Sequence, residues 1–498
     1  MDFITNFPLF TIVLSLFSGA LCFMLSGNAA KKYTLRFQGV MIVLCAAVLF
    51  YTIRTGTSFT YVMGEFPAPW GNEIRAGSLE AMTALFFMVI MICSVSGGYR
   101  FVDMDLDESK VNLYYALLNL MTAALMSLIW TNDIFTGYVF LEILTLTSCG
   151  ILIVREIGRT TLAAMRYMIL NLVGSGLFLL GVVLLYDFTG HLLMVPMRKA
   201  ISLLWAAPAN RPTLILSTGI LTIGLAIKSG LFPFHFWMPD TYGYATPTSG
   251  SVLSSLVSKA YIFLLIKIYY RVIGPEIFAQ MPIGRILMVL GICGMIFGSL
   301  QAMSTNNCNR MIAYSSAAQI GYIYMGIGIG STAGYLAAVF HIFAHSVTKS
   351  MLFLTTPRLA EVSGDSLKFK EMTGSGMRDR DAGAFFLVGS FSMIGIPIFA
   401  GFSSKIFFGL AAVGSSNIKL ILVMLALAVS SMLNAIYFIR TSIRIYSMPE
   451  GRDQGEVRAH HRIGYNLPMF VLTAINLFLG LFSWVAADLI EHGLMMFG

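Results

Sequence analysis

The sequence predicts an all-α membrane protein of about fourteen transmembrane helices, arranged as two inverted five-helix repeats in which helices 7 and 12 are broken. Three observations predict it. Of 498 residues, 57% are hydrophobic and only 11% charged, too little polar surface to coat a soluble globule of that size. Apolar stretches long enough to cross a hydrocarbon core of ~30 Å recur along the whole chain, separated by short polar or Gly/Pro-containing loops. Two of these stretches hold a lysine beside Gly and Pro, at corresponding places in the two halves of the chain.

The first three spans are expected near 8–25, 36–54 and 79–97, within an N-terminal part covering residues 1–110. Met1-Asp2-Phe3 supplies no basic region ahead of the first apolar run, so that run is expected to remain as a helix and not to be cleaved as a signal. The next five spans, near 112–130, 134–154, 163–187, 212–232 and 246–270, form a first repeat over 111–272. Five more, near 283–303, 311–330, 332–356, 385–412 and 418–439, form a second repeat over 273–445. A last helix near 466–488 belongs to a C-terminal part, 446–498.

Lysine and arginine placement orients these spans, because short cytoplasmic loops carry an excess of both. With the amino terminus outside, the inside loops hold 19 of the 32 basic residues and the outside loops eight, the rest falling within helices. Both termini are therefore expected on the outer side of the cytoplasmic (inner) cell membrane. The net charge of +8 is absorbed by this bias and by buried lysines, and no basic tract with interleaved aromatics points to nucleic acid.

Cys22, Cys45, Cys93, Cys149, Cys293 and Cys308 stand singly, at no spacing that suits zinc or an iron–sulfur cluster. No Walker motif or dinucleotide fingerprint is present. The expectation is a chain with no cofactor of its own, driven by an ion gradient or by partner subunits.

Ionisable residues inside apolar runs carry the function, because a charge at the bilayer centre costs at least ~2.5–3.5 kcal/mol and usually faces a bundle interior. Glu142 sits in Tyr138-Val-Phe-Leu-Glu-Ile-Leu-Thr with no basic residue in the same run; the plain alternative is a carboxyl bonded to a neighbouring helix. Lys228 precedes Gly230 and Pro233, which should interrupt the helix and leave carbonyls that only protein or water can satisfy. Its alternative is snorkelling. Lys259 lies in the next helix, and an antiparallel return would bring it near Lys228, a pairing that suits a proton relay. Lys267 neighbours Tyr269, Tyr270 and Arg271, a pattern read here as an interfacial belt with a snorkelling lysine.

His341, His345 and Lys349 recur at four-residue spacing and share one helix face. Histidine both accepts and donates a proton near neutral pH, so this face reads as a relay. A metal site is the rival, but no third ligand accompanies the pair. His235, among aromatic residues after the break, reads equally as a satisfied loop histidine. Lys405, in Gly395-Ile-Pro-Ile-Phe-Ala-Gly-Phe-Ser-Ser-Lys, repeats the arrangement at Lys228, and two interrupted helices in corresponding positions point to an inverted-repeat transporter.

These residues carry a resemblance over nearly the whole chain. It includes Gly64-Glu-Phe-Pro-Ala-Pro-Trp-Gly71, the Glu142 segment, and Lys228 through Pro233-Phe-His-Phe-Trp-Met-Pro-Asp240. It continues through Thr246-Pro-Thr-Ser-Gly250, Asn309-Arg-Met-Ile-Ala-Tyr-Ser-Ser-Ala-Ala-Gln319, His345 to Lys349, and Gly401-Phe-Ser-Ser-Lys405. The chain resembles the antiporter-like subunits shared by Mrp-type Na+/H+ antiporters, energy-converting membrane-bound hydrogenases and the proton-pumping arm of respiratory complex I. Ser430-Ser-Met-Leu-Asn434 resembles the Mrp D subunit and its hydrogenase relatives more than the complex I subunits.

The resemblance implies that Glu142, Lys228, Lys259, His341, His345, Lys349 and Lys405 form a hydrated axis along which protons move. It implies partners too: further antiporter-like and small hydrophobic subunits, with Fe–S or hydrogenase subunits if the complex is redox-driven, and H+ with or without Na+ as cargo. A redox-driven pumping arm and a non-transporting scaffold are the alternatives to Mrp-type antiport. Asn307, Asn309 and the displaced acid at Glu80 depart from the family pattern and bear on coupling between loops.

Overall fold

The computed structural model describes residues 3–66, 71–448 and 463–497; within the motif 64–71, residues 67–70 lie outside them. The chain is an all-α membrane protein; among the described residues the one small sheet pairs β1 (Phe59–Val62) antiparallel with β2 (Glu73–Ala76). The helices in order begin with α1 (Phe7–Met24), α2 (Gly27–Thr55), α3 (Ser78–Asp105), α4 (Val111–Trp130), α5 (Ile134–Ile153) and α6 (Gly158–Thr189). They continue with short α7 (Met194–Ala206), α8 (Arg211–Ser229), α9 (Met238–Gly243), α10 (Pro247–Val252), α11 (Ser258–Ile268), α12 (Pro275–Gln280), α13 (Ile283–Ser304) and α14 (Cys308–Ile329). The last are α15 (Thr332–Glu361), α16 (Ser375–Arg378), α17 (Arg380–Ile394), α18 (Ala400–Val413), α19 (Asn417–Tyr446), α20 (Ile463–Leu481) and α21 (Ser483–Met496).

Among the described residues, eleven helical segments are long and apolar enough to span a membrane, and the α20–α21 pair, bent by 80°, makes up to twelve. The expectation of fourteen also counts α14 and the 380–413 region. α14 carries Gln319, Ser315, Ser316 and three tyrosines, a surface suited to protein contact and not to lipid. The 380–413 region is divided into helices of 15 and 14 residues. Several helices outrun the expected bounds: α2 begins at Gly27, so Lys31, Lys32 and Arg36 ride on its first turns and not in a loop.

Burial is radial. The stretch Pro247–Ile273, formed by α10, α11 and π-helical turns at Leu253–Val257 and Tyr269–Ile273, is buried along its whole length, and 94% of the most apolar window of α15 is buried. Outer helices such as α6 and α19 turn Leu172, Val173, Ile421 and Leu425 outward, the expected dress of a lipid-facing surface. No hydrophobic drive separates helix from lipid, so close association relies on small residues that let backbones approach. α13 and α14 do this through Gly291 and Gly321: a Cβ on Gly321 would lie 2.4 Å from the Gly291 carbonyl oxygen.

Candidate functional site

The site is a row of buried cationic and imidazole groups on the central helices. Lys228, in the last turn of α8, is fully buried; its Nζ donates to Thr145 Oγ1 at 2.6 Å and stands 3.9 Å from Glu142 Oε1, both on α5. α8 ends there because Gly230 takes a left-handed φ of +78°. The chain then makes a 3-10 turn at Phe234–Trp237 before α9. Glu142 lies one turn from Thr145, so a single helix face presents both a neutral and an anionic partner to the same ammonium. The Glu142 side chain remains 23% exposed, and its Oε1 makes no hydrogen bond among the described residues.

Lys259 follows the first π-helical stretch, where one extra residue per turn releases backbone carbonyls; such turns recur at functional sites. Its Nζ donates to the Ser254 carbonyl and to Ser258 Oγ at 3.1 Å. The structure thus gives Lys259 partners of its own and not the expected pairing with Lys228. The buried stretch that carries Lys259 packs against α15, the helix of His341, His345 and Lys349.

On α15, His341, His345 and Lys349 do share a face and all are buried. Lys349 Nζ donates to the Ile312 carbonyl at 2.9 Å and to Ser315 Oγ, both on α14. His341 Nδ1 pairs with Ser404 Oγ at 2.7 Å, and its ring stacks on Tyr322 at 5.3 Å. The two ring nitrogens of His345 have no protein partner among the described residues. They border a cavity of about 10 Å³ lined by Gln319, His341, His345, Thr348, Ser392 and Lys405, space on the scale of one water. Lys405, whose Nζ donates to the Ile394 carbonyl at the end of α17, thus lines the same small chamber as the two histidines.

The break at 395–399 that positions Lys405 is held from a distance. Ile398 adopts φ +85°, a conformation that costs a β-branched residue of order 1–3 kcal/mol. Asn476 on α20 offsets this: its Oδ1 accepts from the Ala400 N–H at 3.3 Å, and its Nδ2 donates to Thr348 Oγ1 at 2.9 Å and Ser392 Oγ at 3.0 Å. Gly480 lies so near that a Cβ there would fall 1.9 Å from the Ile398 oxygen.

Sequence reasoning missed Asn476 and Gln319, although each is a polar amide inside an apolar run, the signal that exposed the charged groups. His235 lies apart from the row, bonded to Gln301 Oε1 at 2.8 Å and stacked on Phe232. Lys267 requires a correction. It is fully buried and donates to the carbonyls of Ile129 and, at 3.0 Å, Thr131. Its ammonium is enclosed by protein and bonded there, so it does not snorkel to solvent. The ammonium instead satisfies carbonyls at the C-terminal end of α4, where the helix dipole favours a cation. Nearby Arg75 donates to the Met496 carbonyl and lies 3.7 Å from buried Glu80, tying β2 to the end of α21.

On the opposite side of the bundle, Asp240 of α9 takes Arg166 at 3.1 Å and Arg310 at 3.2 Å. Asn307, at a position where the resemblance leads one to expect an acid, caps α14 by accepting from the Arg310 N–H at 3.1 Å.

Residues 131–433 match the family model described as NADH:quinone oxidoreductase/Mrp antiporter, TM. The chain belongs to this family. It is an antiporter-like membrane subunit of the kind found in Mrp and complex I-type assemblies. It is 29% identical to NADH-quinone oxidoreductase subunit N of Desulforudis audaxviator, with 98% of each chain covered. It is 25% identical to the D subunit of the Na(+)/H(+) antiporter of Bacillus subtilis, over 97% of this chain and 95% of that one.

Among solved structures, a chain of the Mrp complex from Dietzia superposes with a TM-score of 0.86 at 19% identity, covering 99% of this chain and 97% of that one. A chain of the archaeal membrane-bound sulfane sulfur reductase gives 0.86 at 24% identity, with 98% and 97% covered. A chain of respiratory complex I from Thermus thermophilus gives 0.75 at 22% identity, with 98% and 100% covered. At these identities the likeness is one of fold. All three belong to multisubunit membrane complexes, which makes other membrane subunits the natural partners of this one.

Proposed function

We propose that this subunit carries protons through the bilayer along Glu142, Lys228, Lys259, Lys349, His345, His341 and Lys405, as one member of an Mrp-type cation/proton antiporter. The observation that supports it is the chamber shared by His341, His345 and Lys405, where two titratable side-chain types from α15 and α18 meet around space for a water. Imidazole accepts a proton on one nitrogen and releases it from the other, so it links lysines too far apart to exchange directly. In this reading the Glu142–Lys228 pair governs loading from one side, Lys405 exchanges with the other, and the chain carries no cofactor. Its setting is the cytoplasmic membrane with both termini outside.

His345→Ala tests the link. In vesicles containing the intact complex, with flux followed by an internal pH dye, the variant is expected to lose proton flux by about 10²-fold, the scale of removing a proton-transfer group. His345→Gln, which keeps polarity but cannot titrate, is expected to lose as much. Wild-type flux in both would remove His345 from the path.

A second reading makes the chain the pumping arm of a redox complex, as the name of its Desulforudis relative suggests. Purifying the complex intact and assaying iron and flavin separates the two: their presence identifies a redox-driven arm, and their absence with only membrane partners identifies an antiporter. Whether Na+ crosses is settled in the same vesicles by 22Na+ uptake.

A further inference from the structure

α19 ends in an apolar face with two basic residues set into it. Met432, Ile436, Ile439 and Ile443 are exposed there, and with Arg440 and Arg444 they line a groove of about 590 Å³. Both arginines also line a smaller cleft that continues inward past Phe369 to Met311 and Tyr437. Arg444 sits over the Phe369 ring at 5.9 Å. Neither arginine has an ion-pair partner among the described residues.

Dimensions and charge select the occupant. From Met432 to Arg440 the helix rises about 12 Å, close to one leaflet of a ~30 Å core. An acyl chain lying along Met432, Ile436 and Ile439 would bring its headgroup level with the arginines, which stand one turn apart and face the same side. Guanidinium groups bind phosphate oxygens in a forked geometry. The basic-residue bias assigns this end of α19 to the cytoplasmic side, where anionic lipids concentrate and basic pockets between helices hold their headgroups.

We propose that the α19 groove is a binding site for an anionic phospholipid of the inner leaflet, its phosphodiester held by Arg440 and Arg444 and an acyl chain laid along Met432, Ile436 and Ile439. None of the residues lining the groove belongs to the proposed ion path.

The test uses the full chain in its complex, reconstituted with defined lipids, with Ile436→Trp as a local fluorescent reporter. Background from the native tryptophans is subtracted using the same complex without the reporter. Quenching by brominated phosphatidylglycerol is expected to outcompete brominated phosphatidylcholine by roughly twenty-five-fold, at about five-fold per arginine. R440Q/R444Q is expected to remove that preference while leaving phosphatidylcholine quenching unchanged, which also reports an intact groove; millimolar inorganic phosphate is expected not to displace the lipid. Equal quenching by the two lipids, a preference that survives R440Q/R444Q, displacement by phosphate, or no quenching by either lipid would each overturn the proposal. The last outcome would mean that protein covers the groove.

Discussion

Lys228→Ala is expected to reduce ion flux through the complex by about 10²-fold or more while leaving the complex assembled. The side chain is fully buried, and its ammonium is held by Thr145 at 2.6 Å, by Glu142 at 3.9 Å and against the Tyr261 ring at 5.5 Å. Removing it deletes the cation nearest Glu142. Removing one partner of a buried pair costs stability, so Lys228→Ala is paired with Lys228→Ala/Glu142→Gln, which removes both charges of the 3.9 Å pair together and is expected to assemble. Assembly and flux should therefore separate. Lys228→Arg sharpens the result: guanidinium stays charged at every relevant pH, so a path that needs the proton to leave is expected to fail although the charge remains. Wild-type flux in both single variants of Lys228, with Glu142→Ala also active, would exclude this pair from transport and favour a scaffold.

A loss of stability, not of flux, is expected at Asp379. Its carboxylate accepts from Arg358 Nε and Nη2, each at 3.0 Å, and caps α17 by accepting from the Ala382 N–H at 3.0 Å. Arg358 in turn donates to Asn466 at 2.7 Å, and Asn466 to Asp381 at 2.6 Å, so one buried carboxylate joins α15, α17 and α20. Asp379→Ala leaves Arg358 without its anion, a change worth about 3–5 kcal/mol when a buried pair is broken, with roughly 1 kcal/mol more for the lost cap. The thermal midpoint in mild detergent should fall clearly. Asp379→Asn, which keeps an oxygen for the Ala382 N–H, should fall between the two. An unchanged midpoint for the alanine variant would contradict the account of this junction.

The groups of the central row were legible in the sequence for one reason: Glu142, Lys228, Lys259, Lys349 and Lys405 are charged inside long, otherwise uncharged apolar runs, and such placement is costly without a polar interior. The same logic failed at Lys267. Its neighbours Tyr269, Tyr270 and Arg271 suggest an interfacial belt, and only the packing of other helices around 247–273 shows that the ammonium is bonded inside the protein. Gly395 and Pro397 announced an interruption before Lys405, but not what holds it, because Asn476 lies 76 residues from the Ala400 N–H it accepts. A neutral amide barely dents a hydropathy trace, which is why Asn476 and Gln319 passed unnoticed. The Lys228–Lys259 pairing was drawn from antiparallel connectivity alone; the π-helical stretch at Leu253–Val257 gives Lys259 the Ser254 carbonyl as its partner instead.

The central claim is that protons cross on this chain's buried lysines. The most direct measurement is the proton flux of vesicles containing the complex in which Lys228, Lys259, Lys349 and Lys405 are all replaced by Met, a residue of similar length that needs no polar partner. The account predicts an assembled complex from which this subunit's share of the proton flux is gone. An assembled complex with undiminished flux would contradict it.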